Sequence, residues 1–559
     1  MLAAEAEHLE RARDCLVTMQ ASAAAIADYG VDQLASQSLG RMRAQRLKSL
    51  TADPDAPPFF GRIDRDDTGV SSPASATSPR SADTGGSAGT GTGTSASATS
   101  PRSADAGGSP ANAADAGNLR GVGTGASAGN AGDAKAEALH IGRRHVRDLD
   151  LNPVVIDWRA PISRAFYQAT PADRMGVTLR RRFGFGRGTS AGRLTSYEDE
   201  HLDRGEDLGL DSQILRAEIE RPRVGPMRDI VSTIQPDQDE LVRADLDVSL
   251  CIQGSPGTGK TAVGLHRAAY LLYSYPERLR RTGVLVVGPN AAFLNYIAQE
   301  LPALGEGGIA QATVDELVSS EAGVRSSMVA VDPPDTALLK GDARMADVLL
   351  RAVRAHIARP VEDVVAIIGT RRYRVGAHHL RRYVDDARRE LGAGELRWNA
   401  GRDRLRLQVA EDVRRQREAV GGAPTDAETR KLANSAPVRE AVDAVWAPLT
   451  APGLLGLLYS DATFLARCAP RLDAQEQALL AWPVGRSRRR QSWSGPDRVL
   501  LDELTGILDG TASYVHVVVD EAQDLSAMQC RAVARRSPLG SLTVLGDLAQ
   551  ATTSWAPGS

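Results

Sequence analysis

Hydrophobic positions along this chain repeat with two different periods, and the changes of period mark its segments. Near the N-terminus, apolar residues lie three and four positions apart, which predicts a helix with the a/d seam of a coiled coil. Gly30 suits the end of that helix, and Asp32 suits the cap of a second one. Residues 1–52 are therefore predicted to form a helical hairpin, either packed on the main body or projecting as an interaction arm. The apolar seam comprises Leu9, Ala12, Leu16, Met19, Ala23 and Ile26.

The segment 66–138 has neither period. It consists mainly of Gly, Ala, Ser, Thr and Asp, and the nonapeptide SATSPRSAD occurs at 75–83 and again at 97–105. Such a composition cannot bury enough apolar surface to offset the entropy of ordering. We therefore expect 66–138 to be a disordered insertion without chemistry.

Runs around 154–161 and 177–185 predict strands and a small β-rich subdomain over residues 139–225. Three consecutive arginines, Arg180, Arg181 and Arg182, lie on the second of these strands. A solvated strand end and a phosphate contact both account for such a cluster, and the solvated end is the simpler interpretation.

Short, continuously apolar runs further along predict buried parallel strands, with helical spacing between them. Residues 226–330 and 506–559 are predicted to form two parts of one α/β domain with a parallel sheet. Between them, 331–505 are charged and amphipathic, which predicts a large and mostly helical insertion. The apolar runs are 248–252, 284–287, 309–312, 515–519 and 542–545.

Composition limits the classes of protein and of partner. A length of 559 residues favours two to four domains, and 42% hydrophobic with 25% charged residues is typical of a soluble protein. Acidic residues near the N-terminus argue against a signal peptide, and no apolar run reaches membrane-spanning length. We expect a cytoplasmic protein with no membrane partner.

The formal net charge of −3 means that any nucleic-acid binding must use local basic patches. Two stretches combine arginines with aromatic side chains, which suits a track for a single strand. Solvated helix faces are the alternative interpretation of each stretch. The first contains Arg371, Arg372, Arg374, Arg381 and Arg382 around Tyr373, His378 and His379; the second contains Arg486, Arg488, Arg489 and Arg490 between Trp482 and Trp493.

The clearest candidate chemistry follows the apolar run 248–252. Gly254-Ser255-Pro256-Gly257-Thr258-Gly259-Lys260-Thr261 fits the phosphate-loop pattern G-x-x-x-x-G-K-[ST], and helical spacing follows it. Glycines allow backbone N–H groups to approach phosphate oxygens at the start of a helix. Lys260 is predicted to reach the β- and γ-phosphates, and Thr261 to offer a hydroxyl to Mg²⁺. The predicted ligands are therefore ATP and Mg²⁺.

Two further strand ends carry residues that suit this site. Asp520 and Glu521 follow the run 515–519; Asp520 is predicted to hold Mg²⁺, and Glu521 to orient or deprotonate the attacking water. Gln550 follows the run 542–545, where an amide could sense the γ-phosphate. Gln238, before the loop strand, has an amide that suits the Hoogsteen edge of adenine.

Together these stretches resemble motifs of superfamily 1 helicases of the UvrD/Rep type. The loop resembles motif I, Asp520-Glu521-Ala522-Gln523-Asp524 motif II, Gly546-Asp547-x-x-Gln550 motif III, and Gln238 the adenine-reading Q motif. Within that group the chain is most similar to the actinobacterial HelD/HelR proteins, helicase-IV-like ATPases that recycle RNA polymerase. The residues that carry this resemblance are Phe60-Gly61-Arg62-Ile63-Asp64, Ile156-Asp157-Trp158-Arg159-Ala160-Pro161, Met227-Arg228-Asp229-Ile230 and Leu265-His266-Arg267-Ala268-Ala269-Tyr270-Leu271-Leu272-Tyr273.

The resemblance implies a RecA-like P-loop NTPase domain and a DNA helicase or translocase of 3′-to-5′ type. Its implied partners are single-stranded DNA or another nucleic acid, and the RNA polymerase core. In such helicases a second RecA-like domain completes the ATP site, whereas this sequence ends nine residues after Gln550. We therefore expect nucleotide binding with weak hydrolysis from these residues. The alternative is a polymerase-binding module that binds ATP without unwinding nucleic acid.

Overall fold

The computed structural model describes residues 1–25, 56–66, 137–186, 192–219, 231–280, 282–300, 309–321, 330–482 and 492–551. The chain divides into two compact units, one of residues 1–64 and 138–559 and one of residues 65–137. Of the second unit, only residues 65, 66 and 137 are described. Several predicted features lie outside the described residues: the second helix of the N-terminal hairpin, most of the 66–138 insertion, the segment 227–230 and the arginines at 486–490.

The fold is mixed α/β, and its larger domain contains a five-stranded parallel sheet. The strands are β7 (Leu250–Gln253), β8 (Val284–Gly288), β9 (Ala310–Thr313), β12 (His516–Val519) and β13 (Leu542–Gly546), in the order β7-β13-β12-β8-β9. Successive side chains of a strand point to opposite faces, so a strand covered on both faces needs a continuous apolar run. Val517 and Val519 accordingly contribute to one core and Val518 to another.

The first of these strands differs from its prediction. The run 248–252 was expected to be a buried strand, but β7 begins at Leu250 and lies at the edge of the described sheet. Val248 is 44% exposed, Cys251 is exposed, and Ile252 is the one residue of β7 that is buried. The reason is that β7 has a described neighbour, β13, on one side only.

A second sheet has six strands: β1 (Phe59–Arg65), β2 (Glu137–Gly142), β3 (Val146–Arg147), β4 (Pro153–Asp157), β5 (Val177–Phe185) and β6 (Leu194–His201). Their order is β3-β4-β2-β1-β5-β6. The predicted subdomain 139–225 leaves out β1, which pairs across the long 66–138 segment. Glu137 and Ala138 belong to β2, so this strand begins slightly before the predicted boundary at residue 139.

The N-terminal helix, Leu2–Ala24, packs on this sheet. Leu9 and Ala12 are buried against Phe59, Val155 and Phe183. Over its described length the helix is therefore packed on the main body, which is one of the two alternatives that its apolar seam allowed.

The arginine cluster of β5 corrects the expectation of a solvated strand end. The Arg180 and Arg181 side chains are 5% and 3% exposed, and each forms an ion pair with a carboxylate of β6. The pairs join Arg180 to Glu200 at 2.7 Å and Arg181 to Asp199 at 2.5 Å. Partners on another strand, about twenty residues away, are invisible to a local pattern, which is why the sequence suggested exposure.

The described residues between 330 and 508 are mainly helical, and they include a hairpin of β10 (Val364–Ile368) and β11 (Arg371–Val375). Its core is continuous with one face of the parallel sheet, because Leu285, Val287, Val517 and Val519 cluster with residues of these helices. The helices are Pro334–Gly341, Arg344–Arg354, Ala377–Ala393, Trp398–Ala419, Asp426–Ala433, Ala436–Val445, Ala451–Ser460, Ala462–Cys468, Ala474–Leu480 and Gly495–Leu508.

The opposite face of the parallel sheet packs against the helix that follows the phosphate loop and against residues of the six-stranded sheet. The helices outside the region just described are Arg164–Gln168, Gln213–Ile219, Pro236–Arg243, Lys260–Ser274, Pro276–Leu279, Ala291–Glu300, Val314–Glu321 and Ala527–Arg535. Within the described ranges, every helix is too short or too polar to cross a bilayer.

Candidate nucleotide-binding site

The phosphate loop connects β7 to the helix Lys260–Ser274, which we call the loop helix. Gly257 and Gly259 have φ angles of 82° and 85°, a region that L side chains rarely adopt. A Cβ atom on Gly254 would lie 2.8 Å from the Thr258 Oγ1 atom. These three glycines therefore allow a tight loop that ends at a helix N-terminus, which is a favourable position for an anion.

The first two side chains of the loop helix, Lys260 and Thr261, contact the phosphate loop and Asp520 respectively. The Lys260 Nζ atom donates hydrogen bonds to the carbonyl oxygens of Gly254 and Ser255, the latter at 3.1 Å. The lysine thus lies across its own loop. The Thr261 Oγ1 atom donates to the Asp520 Oδ2 atom at 2.6 Å, across 259 positions of sequence. The structure therefore brings together the two residues that were predicted to hold Mg²⁺.

Asp520 follows directly after β12, and its side chain is buried. Burial raises the pKa of the Asp520 carboxyl above its ordinary value, while hydrogen bonds from Thr261 and from the Glu521 amide oppose that rise. Asp520 is thus a buried carboxylate that accepts two hydrogen bonds, and its oxygen atoms are hard ligands of the kind that a divalent cation prefers.

Glu521 has a left-handed backbone conformation, with φ of 52°. Such conformations in residues other than glycine are uncommon and concentrate at functional sites. The Gln523 Nε2 atom donates to the Glu521 Oε2 atom at 2.6 Å, which fixes the direction of that carboxylate.

Motif II is joined to motif III through the same glutamine. The Asp547 amide donates to the Gln523 Oε1 atom at 3.0 Å, and the Gln253 Nε2 atom donates to the Asp547 Oδ1 atom at 3.3 Å. Gln550 lies on a short 3₁₀ segment after β13, and it is exposed. The backbone N–H of Gln550 donates to the Asp547 carbonyl oxygen at 3.0 Å, a bond within that turn. The γ-phosphate role of the Gln550 side chain stays a prediction.

Gln238 lies on the helix Pro236–Arg243 and touches the phosphate loop. Its Nε2 atom donates to the Thr258 carbonyl oxygen at 3.3 Å, and its Oε1 atom accepts from the backbone N–H of Gln235 at 3.2 Å. The second bond is part of a capping box that fixes the start of the helix. The adenine-reading role stays a prediction.

The donor set fits ATP with Mg²⁺. A glycine loop at a helix N-terminus and one lysine suit the phosphates, and a hydroxyl with a carboxylate supplies the hard oxygen ligands that Mg²⁺ prefers. Sequence reasoning assigned no role to Gln253 or Gln523, which join the loop strand, motif II and motif III. Their signal was present, because both glutamines lie inside or directly before the motifs.

Arg267 was also missed, although it stabilises the loop helix. Its buried guanidinium donates to the Thr543 Oγ1 atom at 3.0 Å and to carbonyl oxygens of the segment that precedes β7, including Asp245 at 2.9 Å. Burial lowers the pKa of Arg267 to about 10. This residue therefore connects the loop helix to β13 and to the strand that leads into the loop.

The two basic and aromatic stretches are less favourable for a single-strand track than their sequences suggested. Arg371, Arg372 and Arg374 are exposed on β11, but Tyr373 packs against the core. Trp493 is buried, and Trp482 packs near it with ring centroids 5.8 Å apart. Tyr373, Trp482 and Trp493 thus contribute to packing.

Comparison with known proteins finds a family model that matches part of the chain. Residues 114–213 match the family model described as DNA helicase IV HelD, N-terminal domain. A search of the curated proteins finds no match. The matched range includes β2 to β6 of the six-stranded sheet and ends before the phosphate loop. It supports a HelD-like helicase family for this chain.

Proposed function

We propose that the chain is an ATP-binding part of a UvrD-like, HelD-type helicase or translocase, with a RecA-like P-loop domain built on the parallel sheet. The observation that carries the proposal is the 2.6 Å hydrogen bond between Thr261 and Asp520. It brings the end of the phosphate loop to the end of β12, as a P-loop ATPase requires. The family match of residues 114–213 supports the helicase class independently.

In this proposal, each residue of the site has a defined task. The loop amides and Lys260 bind the phosphates, and Thr261 and Asp520 hold Mg²⁺. The metal ion, when bound, neutralises the phosphate charge. Glu521, held by Gln523, orients a water molecule and accepts its proton, and Gln550 senses the γ-phosphate from the end of β13.

The turnover expected from the described site residues is low. In the similar helicases, arginines of a second RecA-like domain complete the ATP site, and an arginine finger contributes roughly 10³–10⁵-fold to turnover. That factor corresponds to about 4–7 kcal/mol of activation free energy. The proposed site includes no such arginine, so by itself it is expected to bind ATP in weakened form and to hydrolyse it slowly.

A second candidate function is a polymerase-binding module in which ATP is regulatory. The observation that favours it is the position of the family match, which covers the N-terminal part of the chain and not the nucleotide site. Its implied partner is the RNA polymerase core, as in the similar HelD/HelR proteins.

One pair of assays separates the two functions. The first measures steady-state ATP hydrolysis with and without single-stranded DNA, by the wild type and by Glu521→Gln. The second measures binding to RNA polymerase core with and without ATP. Hydrolysis that DNA stimulates and Glu521→Gln abolishes supports the motor. Polymerase binding that does not depend on ATP, with negligible hydrolysis, supports the module.

A further inference from the structure

The three consecutive arginines of β5 differ in how their charges are compensated. The Arg180 guanidinium donates two hydrogen bonds to Glu200, at 2.7 and 2.8 Å. Arg181 is likewise paired, with Asp199. Arg182 has no hydrogen-bond or ion-pair partner among the residues that the structure describes, and its guanidinium carbon lies 5.3 Å from the centroid of the Phe166 ring.

The strand register explains this difference. Arg180 lies opposite Glu200 and Arg182 lies opposite Glu198, so both pairs share one face of the sheet. The Glu198 carboxylate, however, accepts hydrogen bonds from the Ser212 hydroxyl at 2.5 Å and from the Gln213 amide at 2.9 Å. Glu198 is therefore used to fix the start of the helix Gln213–Ile219, and its cross-strand arginine is left without an acceptor.

The charged form of the Arg182 guanidinium is unfavourable in this position unless an anion binds to it. Burial lowers the pKa of Arg182 to about 10, and the neighbouring charge of Arg180 acts in the same direction. The side chain nevertheless stays protonated near neutral pH, with five N–H donors in a planar fork. Those donors lack a protein acceptor among the described residues.

Arg182 lines a cavity of about 510 Å³, a volume within the usual range of small-molecule sites. Phe60, Phe166 and Ile214 supply apolar wall, and Ser196 and Ser232 supply hydroxyl groups. Neither hydroxyl forms a hydrogen bond with another residue in the described ranges. The cavity thus combines apolar walls with a few polar donors.

Three other charged residues border the cavity, and each has partners of its own. Glu198 accepts the bonds described above, Arg143 donates to the Pro57 carbonyl oxygen at 3.1 Å, and Glu218 is also engaged. Among these four residues, Arg182 is therefore the one whose hydrogen-bond donors are not engaged by a described residue.

We propose that this cavity binds a small organic anion. One oxyanion group, a phosphate or a carboxylate, is held by the Arg182 fork and by the hydroxyls of Ser196 and Ser232. An aromatic or apolar body packs against Phe60 and Phe166. Two oxygen atoms of a carboxylate or a phosphate match the guanidinium fork in bidentate geometry, which adds geometric specificity to the charge attraction. The site is separate from the phosphate loop and does not depend on the proposed ATPase function.

The test titrates the full chain with phenyl phosphate, benzoate and neutral benzyl alcohol, followed by the relaxation of the ligand ring protons in NMR. Lys260→Ala is used as the background, so that phosphate binding at the loop does not contribute. We expect saturable binding of a charged probe, weakened about 10- to 100-fold by Arg182→Gln, because a charge-assisted bidentate contact is lost. Arg388→Gln, which removes an exposed helix arginine outside the cavity, should leave binding unchanged.

The remaining comparisons decide the chemistry and keep the test informative if Arg182→Gln folds poorly. Arg182→Lys keeps the charge but loses the fork, so an intermediate affinity is expected, and Ser232→Ala should weaken binding a few fold. Tighter binding of phenyl phosphate assigns a phosphate ligand, and tighter binding of benzoate assigns a carboxylate. The proposal is overturned if neither probe binds saturably, if benzyl alcohol binds as tightly, or if a folded Arg182→Gln variant binds equally well.

Discussion

A single buried carboxylate holds the N-terminal helix on the six-stranded sheet, so Glu5→Gln should release that helix. Glu5 is 3% exposed. Its Oε1 atom accepts from Arg62 at 2.5 Å and from Arg181 at 2.6 Å, and its Oε2 atom lies 2.8 Å from the His140 Nε2 atom. Glutamine keeps the size of the side chain but removes the charge that these three partners share.

The pKa of Glu5 gives the magnitude. Burial by itself raises this pKa, but His140, Arg62 and Arg181 outweigh burial and bring it from 4.5 to about 2. At 1.36 kcal/mol for each pKa unit, that difference corresponds to about 3 kcal/mol in favour of the charged, docked form. Breaking a buried ion pair from one side has a similar cost, about 3–5 kcal/mol. The docking equilibrium should therefore shift by about two orders of magnitude.

Amide hydrogen exchange of the peptide around residues 9–19 measures this shift directly, because local opening exposes the helix amides. Glu5→Gln should accelerate their exchange about 100-fold at neutral pH. Glu10→Gln is the matched control on the same helix, since its pair with Arg13 is exposed and contributes about 0–1 kcal/mol. Unchanged exchange in Glu5→Gln, or equal acceleration in both variants, would refute the reasoning.

Three further outcomes follow from packing and charge. Burial, together with the charge of the stacked His140 ring, lowers the pKa of His8 from 6.5 to about 4, so protonation of His8 disfavours docking of the N-terminal helix. Protection of the helix amides from hydrogen exchange, corrected for intrinsic exchange rates, should therefore be full above pH 6.5 and fall as the pH drops towards 4. Gly264→Ala would place a Cβ atom 2.6 Å from the Leu545 side chain, so it should destabilise the loop helix by about 1–3 kcal/mol and weaken ATP binding. Gly495→Ala is the control: a Cβ atom there meets open space, so neither stability nor ATP binding should change. Asp502→Asn removes a fully buried carboxylate that accepts hydrogen bonds from Arg535 and Arg536, so it should lower the midpoint of thermal unfolding. A midpoint equal to that of the wild type would contradict the assigned pairing.

Some parts of this structure follow from local sequence. The apolar runs that became β8 and β12 are continuous because helices or a second sheet cover both faces of the parallel sheet. The phosphate loop is recognisable from sequence because two of its glycines have positive φ angles, a backbone conformation that is unfavourable for other residues. Thr261 and Asp520 meet although 259 positions separate them, as their shared predicted role at Mg²⁺ requires.

Other parts depend on pairing between distant segments, which no local pattern reports. β1 joins its sheet across more than seventy residues, and the burial of Arg181 depends on Glu5, 176 positions away. The edge position of β7 depends on the strand order of the sheet, although its apolar run resembles that of a central strand. Gln523 was overlooked for a different reason, because its role appears only when motif III lies beside motif II.

The most direct test of the central claim is Mg²⁺-dependent ATP binding by the 559-residue chain, measured by isothermal titration calorimetry. The wild type should bind one ATP. Lys260→Ala should lose about 10- to 100-fold in affinity, because charged hydrogen bonds to phosphate are removed. Lys431→Ala, which removes an exposed helix lysine, should bind like the wild type. Absence of ATP binding to the wild type, or equal binding by Lys260→Ala, would contradict the account.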